Sequence, residues 1–207
     1  MDTFTMQANT LTTKERIIDA AVMLFSQKGY DTVSMRDIAR EVGIKAASIY
    51  NHFSSKRDIL TGIYDFYHVV HQAAMPDLNK LLPMLETEPV YNVLAKLSYH
   101  FPPHLQDKMD RILLIGSQRL CLDKVSESFV KDHFLEPLFQ LSRPVLSRAI
   151  ELGIIEPIDV DSFSRVVIFY AFSAAELNRT VMKTTLEEWQ GGLNLIYSLL
   201  KPASKKK

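Results

Sequence analysis

Cysteine and glycine are both scarce in this chain of 207 residues. Cys121 is the single cysteine, so an intrachain disulfide framework is impossible, which is typical of proteins in a reducing cytosol. The seven glycines form no phosphate-binding loop, and the chain has no G-x-S-x-G, H-E-x-x-H or C-x-x-C motif. The sequence therefore predicts a non-enzymatic protein without a metal or cofactor. An enzyme whose site forms only in space remains an alternative.

An excess of charge is also missing, because 24 Lys and Arg residues balance 24 Asp and Glu residues. This balance argues against a protein that coats nucleic acid non-specifically, but it permits a local basic face. Residues 14–57 carry eight basic and five acidic side chains, a local balance of +3. No apolar run approaches the roughly 20 residues of a membrane span, and the first residues lack the pattern of a secretion signal. We therefore expect a cytoplasmic protein with no membrane partner.

Helical periodicity dominates the rest of the chain, and strand-like alternation is almost absent, which predicts an all-α fold. We expect an N-terminal three-helix domain over residues 10–54 and a larger helical domain over residues 55–203. A first helix is expected from the capping box Thr12–Glu15 to Gly29, and another from the N-cap Ser55 into the low seventies. Further helices are expected near 89–100, 105–121, 124–152, 160–182 and 185–200, with a kink or split of the 124–152 helix at Pro137 and Pro144.

The stretch from Ser34 to Phe53 has the layout of a helix-turn-helix. It combines apolar residues at near-helical spacing with Gly43 where the chain must turn, since glycine adopts positive φ without penalty. Ala39 is small enough for the second helix to pack closely on the first. Polar side chains that can reach phosphates or base edges are left off the apolar face; they are Arg36, Lys45, Ser48, Tyr50, Asn51 and His52.

The segment from about Thr13 to Leu60 resembles the DNA-binding domain of the TetR family of transcriptional regulators. The resemblance is carried by landmarks in a fixed order: Lys28-Gly29-Tyr30, Ser34-Met35-Arg36-Asp37-Ile38-Ala39, Val42-Gly43-Ile44, Ser48-Ile49-Tyr50, His52-Phe53 and Ser55-Lys56 before Leu60. It implies a repressor that binds a palindromic double-stranded DNA operator as a homodimer and responds to a small-molecule effector. A constitutive DNA-binding protein without a ligand is the alternative.

The resemblance also implies which residues contact DNA. They are Ser34, Met35, Arg36, Lys45, Ala46, Ala47, Ser48, Tyr50, Asn51, His52 and Lys56. Tyr50 and Lys56 are expected at phosphates, which fix register without specifying sequence. Asn51 suits either adenine or a phosphate, and Ala46 and Ala47 suit either thymine methyl groups or plain helix propensity. Two features depart from the family pattern: Lys45 replaces the usual Ser or Thr cap, and Ala46-Ala47 replaces a frequent Lys-Gly pair.

Residues 55–203 are expected to hold the effector and the dimer contact. We expect an apolar cavity between the helix after Ser55 and the helices near 89–100, 105–121 and 124–152, with Gly116 facing it and an effector that is largely apolar. Candidate polar anchors are Tyr64, Tyr67, His100, Gln118 and Arg119. Plain solvent exposure of Gln118 and Arg119 is the alternative.

Two C-terminal stripes at helical spacing predict a dimer interface built as a four-helix bundle. The candidates are Phe163, Val167, Tyr170, Ala174, Trp189, Leu193 and Ile196. Gly191 and Gly192 would allow close approach of a partner helix, and packing within one chain is the alternative. His68 and His71 lie three residues apart, but they are expected to be ordinary surface or core histidines because no third metal ligand is clustered near them.

Overall fold

The computed structural model describes residues 11–97, 101–180 and 185–203, with the backbone alone at residues 171, 174–180, 186, 187, 189 and 190. This part of the chain is all-α. Its α-helices are α1 (Thr13–Lys28), α2 (Met35–Val42), α3 (Ala46–Ile49), α4 (Lys56–Ala74), α5 (Leu78–Leu81), α6 (Val90–Ala95), α7 (Pro103–Gln118), α8 (Lys124–Val130), α9 (Glu136–Glu151), α10 (Val160–Thr180) and α11 (Leu186–Tyr197). None of the described helices is long and apolar enough to cross a membrane.

Local sequence signals begin and end the first helices as predicted. Thr12 and Glu15 form a reciprocal capping box at α1, and Ser34 and Asp37 form one at α2. Each box satisfies amide groups that a helix start otherwise leaves without a partner. Gly43 ends α2 in the left-handed region at φ 75°, which turns the chain sharply into α3. These caps explain why the helix-turn-helix begins and turns where it does.

The first apolar core joins the N-terminal helices to the middle of the chain. It contains buried residues of α1, α2, α3 and α4 together with residues of α7 and α8. Ile38, Ile49, Ile59 and Ile112 are all 0% exposed within this one cluster. This cluster extends past residue 54, the expected domain boundary, because α4 contacts both α1 and α7. The division into two domains stays a prediction.

The second core lies at the other end of the molecule. Buried side chains of α5, α6, α9 and α11 form it, and partly buried side chains of α10 pack against them. Ser142 of α9 and Ser164 of α10 form a buried hydrogen bond at 3.0 Å. An ideal Cβ at Gly192 would overlap the Tyr170 hydroxyl, so α10 and α11 pack within one chain at this point.

The predicted helix over 124–152 consists of three successive helical segments. A π-helical turn, Lys131–Leu135, connects α8 to α9. Pro137 occupies the first turn of α9, where a proline needs no amide partner, and Pro144 lies inside α9. Val130, Leu135 and Glu136 all keep helical φ and ψ, so the segment stays helical through the π-helical turn and neither proline splits it. The expected split is therefore wrong, and a kink stays a prediction.

Two further elements were not predicted. The α5 helix and a 3₁₀ turn, Leu82–Glu86, lie between the helix expected after Ser55 and the helix expected near 89–100. Leu81 and Leu85 are buried there, so tertiary packing stabilises turns that are weak alone. Near the C-terminus, Ile155 and Pro202 form an isolated antiparallel bridge that ties the last described residues to the loop after α9.

Candidate nucleic-acid interface

The helix-turn-helix is held by a small buried face. Ala39 is 1% exposed, and Ile49 and Phe53 are 0% and 3% exposed, so α3 lies directly against α2. Arg16 of α1 donates to the carbonyl of Val42, which satisfies an acceptor at the end of α2. The sequence did not predict this role of Arg16, because a carbonyl acceptor leaves no trace in residue spacing. The result is a rigid support for the opposite, exposed side.

That exposed side carries most of the predicted contact residues. Tyr50 is 57% exposed, an unusual position for a large aromatic side chain. Met35 and Ser48 are half-buried, and the other residues from this region are exposed: Ser34, Arg36, Lys45, Ala46, Ala47, Asn51 and His52. Their chemistry suits phosphates and base edges. Whether each of them contacts DNA stays a prediction.

The start of α3 differs from the two helices before it. Lys45 is the N-cap and makes no side-chain capping bond, as its lack of an acceptor predicts. The α3 helix is only four residues long, and backbone bonds from Asn51, His52 and Phe53 to Ser48 and Ile49 continue the turn. The Ser48 amide bonds the Lys45 carbonyl at 2.8 Å within this turn, and the exposed Lys45 ammonium is the group at this start whose charge suits a phosphate.

Lys56 is occupied inside the protein. Its ammonium donates to the carbonyls of Tyr30 at 2.7 Å and Val33 at 2.8 Å, and it lies 4.3 Å from the centre of the Tyr30 ring. Burial lowers its pKa from the ordinary value. The expected phosphate contact of Lys56 therefore has to be corrected: the donors of this ammonium fasten the α1–α2 loop to the start of α4.

A cleft of about 400 Å³ that is open to solvent, which we call the cavity, lies between α4, α8 and the π-helical turn. It is lined by Thr61, Tyr64, Asp65, Lys124, Val125, Ser128, Phe129 and His133. Charged and hydroxyl side chains thus share the wall with stacked aromatic rings, Tyr64 and Phe129, whose centres are 4.0 Å apart. This mixed lining differs from the apolar lining that we expected.

The candidate polar anchors are scattered relative to this cavity. Tyr64 lines it, and its hydroxyl shares a buried 2.8 Å hydrogen bond with Ser126, while burial raises its pKa above the usual range. Tyr67 is 1% exposed and lies in the first core. Gln118 is exposed at the end of α7, Arg119 is bound to Asp31 and Asp123, and His100 lies outside the described residues.

Gly116 also faces protein instead of a cavity. An ideal Cβ at this position would lie 2.6 Å from the Phe129 ring, so Gly116 is the point at which α7 and α8 approach each other. Because a side chain here would push on a buried ring, the position is a packing contact. The expectation that Gly116 faces an effector cavity is therefore wrong.

Histidines gather beside the cavity. The Nδ1 atoms of His68 and His133 are 3.1 Å apart, which links α4 to the π-helical turn. His71 is 1% exposed and its pKa is lowered to about 4, mainly by burial and then by His133 and His68. Within the described part of the chain, no three His, Cys, Asp or Glu side chains are grouped as metal ligands.

The predicted dimer residues face the chain's own core. Leu193 is 4% exposed, and Phe163, Val167 and Tyr170 pack against the second core. Ile196 is half-buried, and the side chains of Ala174 and Trp189 lie outside the described set. Packing within one chain, the alternative to a dimer interface, accounts for these positions. The α10 and α11 helices each have two apolar sides, and the four residues in contact with the second core lie on the side that faces it.

Other apolar residues of the same helices are exposed. On α10, Val166 and Phe169 are 51% and 58% exposed; Leu195 of α11 and Leu199, in the turn that follows α11, are 70% and 66% exposed. We call these four residues the α10–α11 face. The spacing of three residues places Val166 and Phe169 on one side of α10. Helical spacing alone could not assign the two sides to core and surface.

Comparisons with known proteins agree with this architecture. Residues 17–63 match the family described as bacterial regulatory proteins, tetR family. The biofilm operon icaADBC HTH-type negative transcriptional regulator IcaR of Staphylococcus aureus is 38% identical over 88 residues, which is 42% of this chain and 44% of IcaR. The chain thus spans less than half the length of this curated relative.

Solved structures extend the similarity to the whole fold. The TetR family transcriptional regulator PfmR from Thermus thermophilus has a TM-score of 0.65 and 23% identity, covering 95% of this chain and 100% of PfmR. A gamma-butyrolactone receptor described as ArpA-like has a TM-score of 0.60 and 16% identity, covering 92% of this chain and 88% of the receptor. At these identities the likeness shows the fold alone.

Proposed function

This chain belongs to the TetR family of bacterial regulatory proteins through its N-terminal helices, and from that premise we propose that it is a transcriptional repressor. It binds a palindromic DNA operator as a homodimer in the cytoplasm, and a small molecule releases it. The observation that carries the proposal is the helix-turn-helix itself, with its apolar side buried and its polar side exposed. The direction of regulation is supported by IcaR, a negative transcriptional regulator.

Sequence-specific binding needs both charge and base-edge chemistry on one surface. Arg36 and Lys45 supply exposed cations near the starts of α2 and α3. Tyr50 and Asn51 follow directly after α3, where hydroxyl and amide groups can reach phosphates or bases. Ala46 and Ala47 are exposed and small, which allows α3 to approach thymine methyl groups in the major groove.

The α10–α11 face supports a homodimer. Exposed Val166, Phe169, Leu195 and Leu199 are apolar side chains that a partner copy would cover. Gly191 is exposed one helical turn before Leu195, and an ideal Cβ there would meet nothing within 4 Å. A partner helix can therefore approach closely, as in four-helix bundles.

The cavity between α4 and α8 supports a response to an effector. Its mixed lining suits a small molecule with both an apolar part and polar groups, rather than the largely apolar effector expected from the sequence. An effector releases DNA only if it binds the released state more tightly than the DNA-bound state. The constitutive alternative would leave operator affinity unchanged by every compound.

Selection of bound fragments from random duplex DNA tests this function. We expect the wild-type protein to enrich an inverted repeat, and Tyr50→Ala to bind that repeat and unrelated DNA more weakly by a similar factor. Glu151→Gln, in the C-terminal part, is a control that should retain wild-type affinity. If the wild-type protein enriches no sequence above its binding to unrelated DNA, the proposed function is wrong.

A further inference from the structure

The loop between α1 and α2, residues 29–34, leads directly into the helix-turn-helix. The hydroxyl of Thr32 donates to the carbonyls of Lys28 at 2.6 Å and Gly29 at 3.0 Å, so the loop is folded back on the end of α1. The Tyr30 ring packs edge-on against Phe25 with centres 4.9 Å apart. Tyr30 is thus packed on α1, and Val33 and Ser34 connect the folded loop directly to the start of α2.

Arg119, the C-cap of α7, contacts this loop from the larger helical part of the chain. Its guanidinium lies 4.0 Å from the centre of the Tyr30 ring, and its Nη1 is shared between the two carboxylate oxygens of Asp31, at 3.2 and 3.3 Å. The Arg119 side chain is only 12% exposed, although Asp31 itself is 76% exposed. Stacking on Tyr30, together with donors to two carboxylates from different nitrogens, fixes the orientation of the planar guanidinium.

The same guanidinium is bound on its other side to Asp123. The two side chains form an ion pair at 2.8 Å, and Asp123 is 22% exposed. Asp123 is also the N-cap of α8, where it accepts from the Ser126 amide at 2.9 Å. One carboxylate thus serves both α8 and Arg119, so a shift of the first turn of α8 changes the position of Arg119.

The α8 helix continues this connection to the cavity. The Ser126 hydroxyl bonds the buried Tyr64 hydroxyl at 2.8 Å, and Tyr64 stacks on Phe129. Tyr64 and Phe129 both line the cavity between α4 and α8. An unbroken series of contacts therefore runs from the cavity wall through Ser126, Asp123 and Arg119 to the loop before α2.

We propose that Arg119 couples the two parts of the molecule: it positions the helix-turn-helix, and it transmits occupancy of the α4–α8 cavity through Asp123 to the α1–α2 loop. This coupling rests on the proposed function for its consequence on DNA, but its structural part is independent of DNA. The Arg119 contacts are a second connection between the cavity and the helix-turn-helix. The first connection is the continuous α4 helix, which alone would transmit only a tilt or a rotation.

Hydrogen exchange of the full chain tests the positioning role. In Arg119→Gln, the Ser34 amide, which ends the α1–α2 loop and donates to Asp37 Oδ2 at 3.0 Å, is expected to exchange at least tenfold faster than in the wild type. Arg119→Lys should show the same change, since a lysine keeps the charge but not the fork or the stacking. Both variants must first show cooperative thermal unfolding, and Arg119→Lys serves if Arg119→Gln fails to fold.

Arg143→Gln is the matched control. Arg143 also pairs with an aspartate, Asp161 at 2.6 Å, and lies 5.2 Å from the ring centre of Phe139, but it contacts only the C-terminal helices. Its loss should leave exchange of the Ser34 amide unchanged. The positioning role is overturned if the foldable Arg119 variants exchange within twofold of the wild type, or if Arg143→Gln accelerates exchange equally.

A side chain placed in the cavity tests transmission without an identified ligand. Ser128 is exposed at the cavity wall, so Ser128→Trp introduces an indole as the probe. In the wild-type background it should accelerate exchange of the Ser34 amide and weaken operator binding at least fivefold. In the Arg119→Gln background it should add less than a twofold change to either quantity. Equal effects in both backgrounds would show that transmission bypasses Arg119.

The two proposals fail in different ways. If the wild-type protein selects no DNA sequence, the proposed function is wrong, and the exchange measurements alone decide whether Arg119 couples the cavity to the loop. If the operator is found but Arg119→Gln binds it as the wild type does and Ser128→Trp still weakens it fully, the repressor function stands and the coupling role is overturned.

Discussion

Three backbone carbonyls surround the ammonium of Lys56, those of Tyr30, Asp31 and Val33, at 2.7 to 3.4 Å. An ammonium has three donors, so these contacts leave little capacity for a phosphate. Lys45, by contrast, is exposed at the start of α3 and makes no capping bond. The family resemblance places both lysines at DNA. In the folded chain they therefore have different roles.

The salt dependence of operator binding separates these roles. Lys45→Met should reduce the slope of log affinity against log salt concentration by about one, the value for one lost phosphate contact. Lys56→Met should leave the slope unchanged but lower the free energy of unfolding by about 1–3 kcal/mol, because buried carbonyls lose a charged donor. Fluorescence anisotropy and denaturant unfolding measure the two quantities. A reduced slope in Lys56→Met alone would reverse the assignment.

His71 gives a prediction about pH. Burial lowers its pKa from 6.5 to about 4, so between these values the unfolded chain binds more protons than the folded chain. The stability that neutral His71 contributes is present above pH 6.5 and is lost as the pH falls toward 4. Over the window from pH 6.5 to 4.5 the expected loss is roughly 2 kcal/mol, from about 1.4 kcal/mol per pKa unit.

Denaturant unfolding of His71→Phe across this window checks the assignment. The variant should lose most of the pH dependence and keep a smaller part from His133, whose pKa is also lowered by burial. His52→Gln, at an exposed position after α3, should behave as the wild type. Unchanged pH dependence in His71→Phe would show that another group is responsible.

Among the elements, the α7–α8 contact depends on a glycine. A Cβ at Gly116 would lie 2.6 and 2.7 Å from two atoms of the Phe129 ring, whereas a Cβ at Gly62 of α4 would lie 3.1 Å from one atom of Phe53. Both positions are inside helices, so alanine gains about 1 kcal/mol of helix propensity at either one. At Gly116 the buried Phe129 ring has to move substantially, whereas at Gly62 a displacement of Phe53 by a few tenths of an ångström suffices.

Thermal and denaturant unfolding of the two alanine variants compare these contacts. Gly116→Ala should lower the free energy of unfolding by about 1–3 kcal/mol, the usual cost of overpacking a core. Gly62→Ala should stay within about 1 kcal/mol of the wild type, because its small displacement of Phe53 is offset by propensity. Equal stability of both variants would mean that α8 moves away from α7 at little cost.

The elements also show what a sequence can and cannot predict. Thr12, Ser34 and Gly43 mark helix ends through local chemistry, so the caps and the turn of the helix-turn-helix were predicted correctly. The π-helical turn at Lys131–Leu135 has no such local marker. The α5 helix does have a capping residue, Asp77, but it is only four residues long, and its buried leucine gains stability from residues distant in sequence.

The candidate sites show the same difference between features that local sequence marks and features that distant residues determine. Exposure of Tyr50, Asn51 and His52 follows from the local pattern of apolar and polar residues in and after α3. The hydrogen-bond partners of Lys56 and Arg119 in the α1–α2 loop are 23 to 88 residues away in sequence, so neither role could be inferred from spacing. For α10 and α11 the apolar periodicity is consistent with two sides, and only tertiary packing decides which one is buried.

For the whole molecule, we predict that the α10–α11 face forms the dimer contact and that one charged substitution in this face separates the two subunits. Phe169→Glu or Leu195→Glu should yield monomers at micromolar concentration, because the proposed interface would bury an unpaired carboxylate. Val69→Glu, at an isolated exposed apolar position of α4, is the control and should leave the dimer intact. Sedimentation velocity measures the outcome. Monomeric wild-type protein, or dimers of both interface variants, would contradict this location of the interface.

A footprint on the selected operator tests the central claim, that two copies of this helix-turn-helix bind DNA together. The account predicts two chains per duplex and two protected half-sites on one face of the DNA, with centres about 34–36 Å apart or a multiple of one helical turn. Hydroxyl-radical footprinting combined with the sedimentation mass of the complex provides both quantities. A single protected half-site with one chain per duplex would contradict the account.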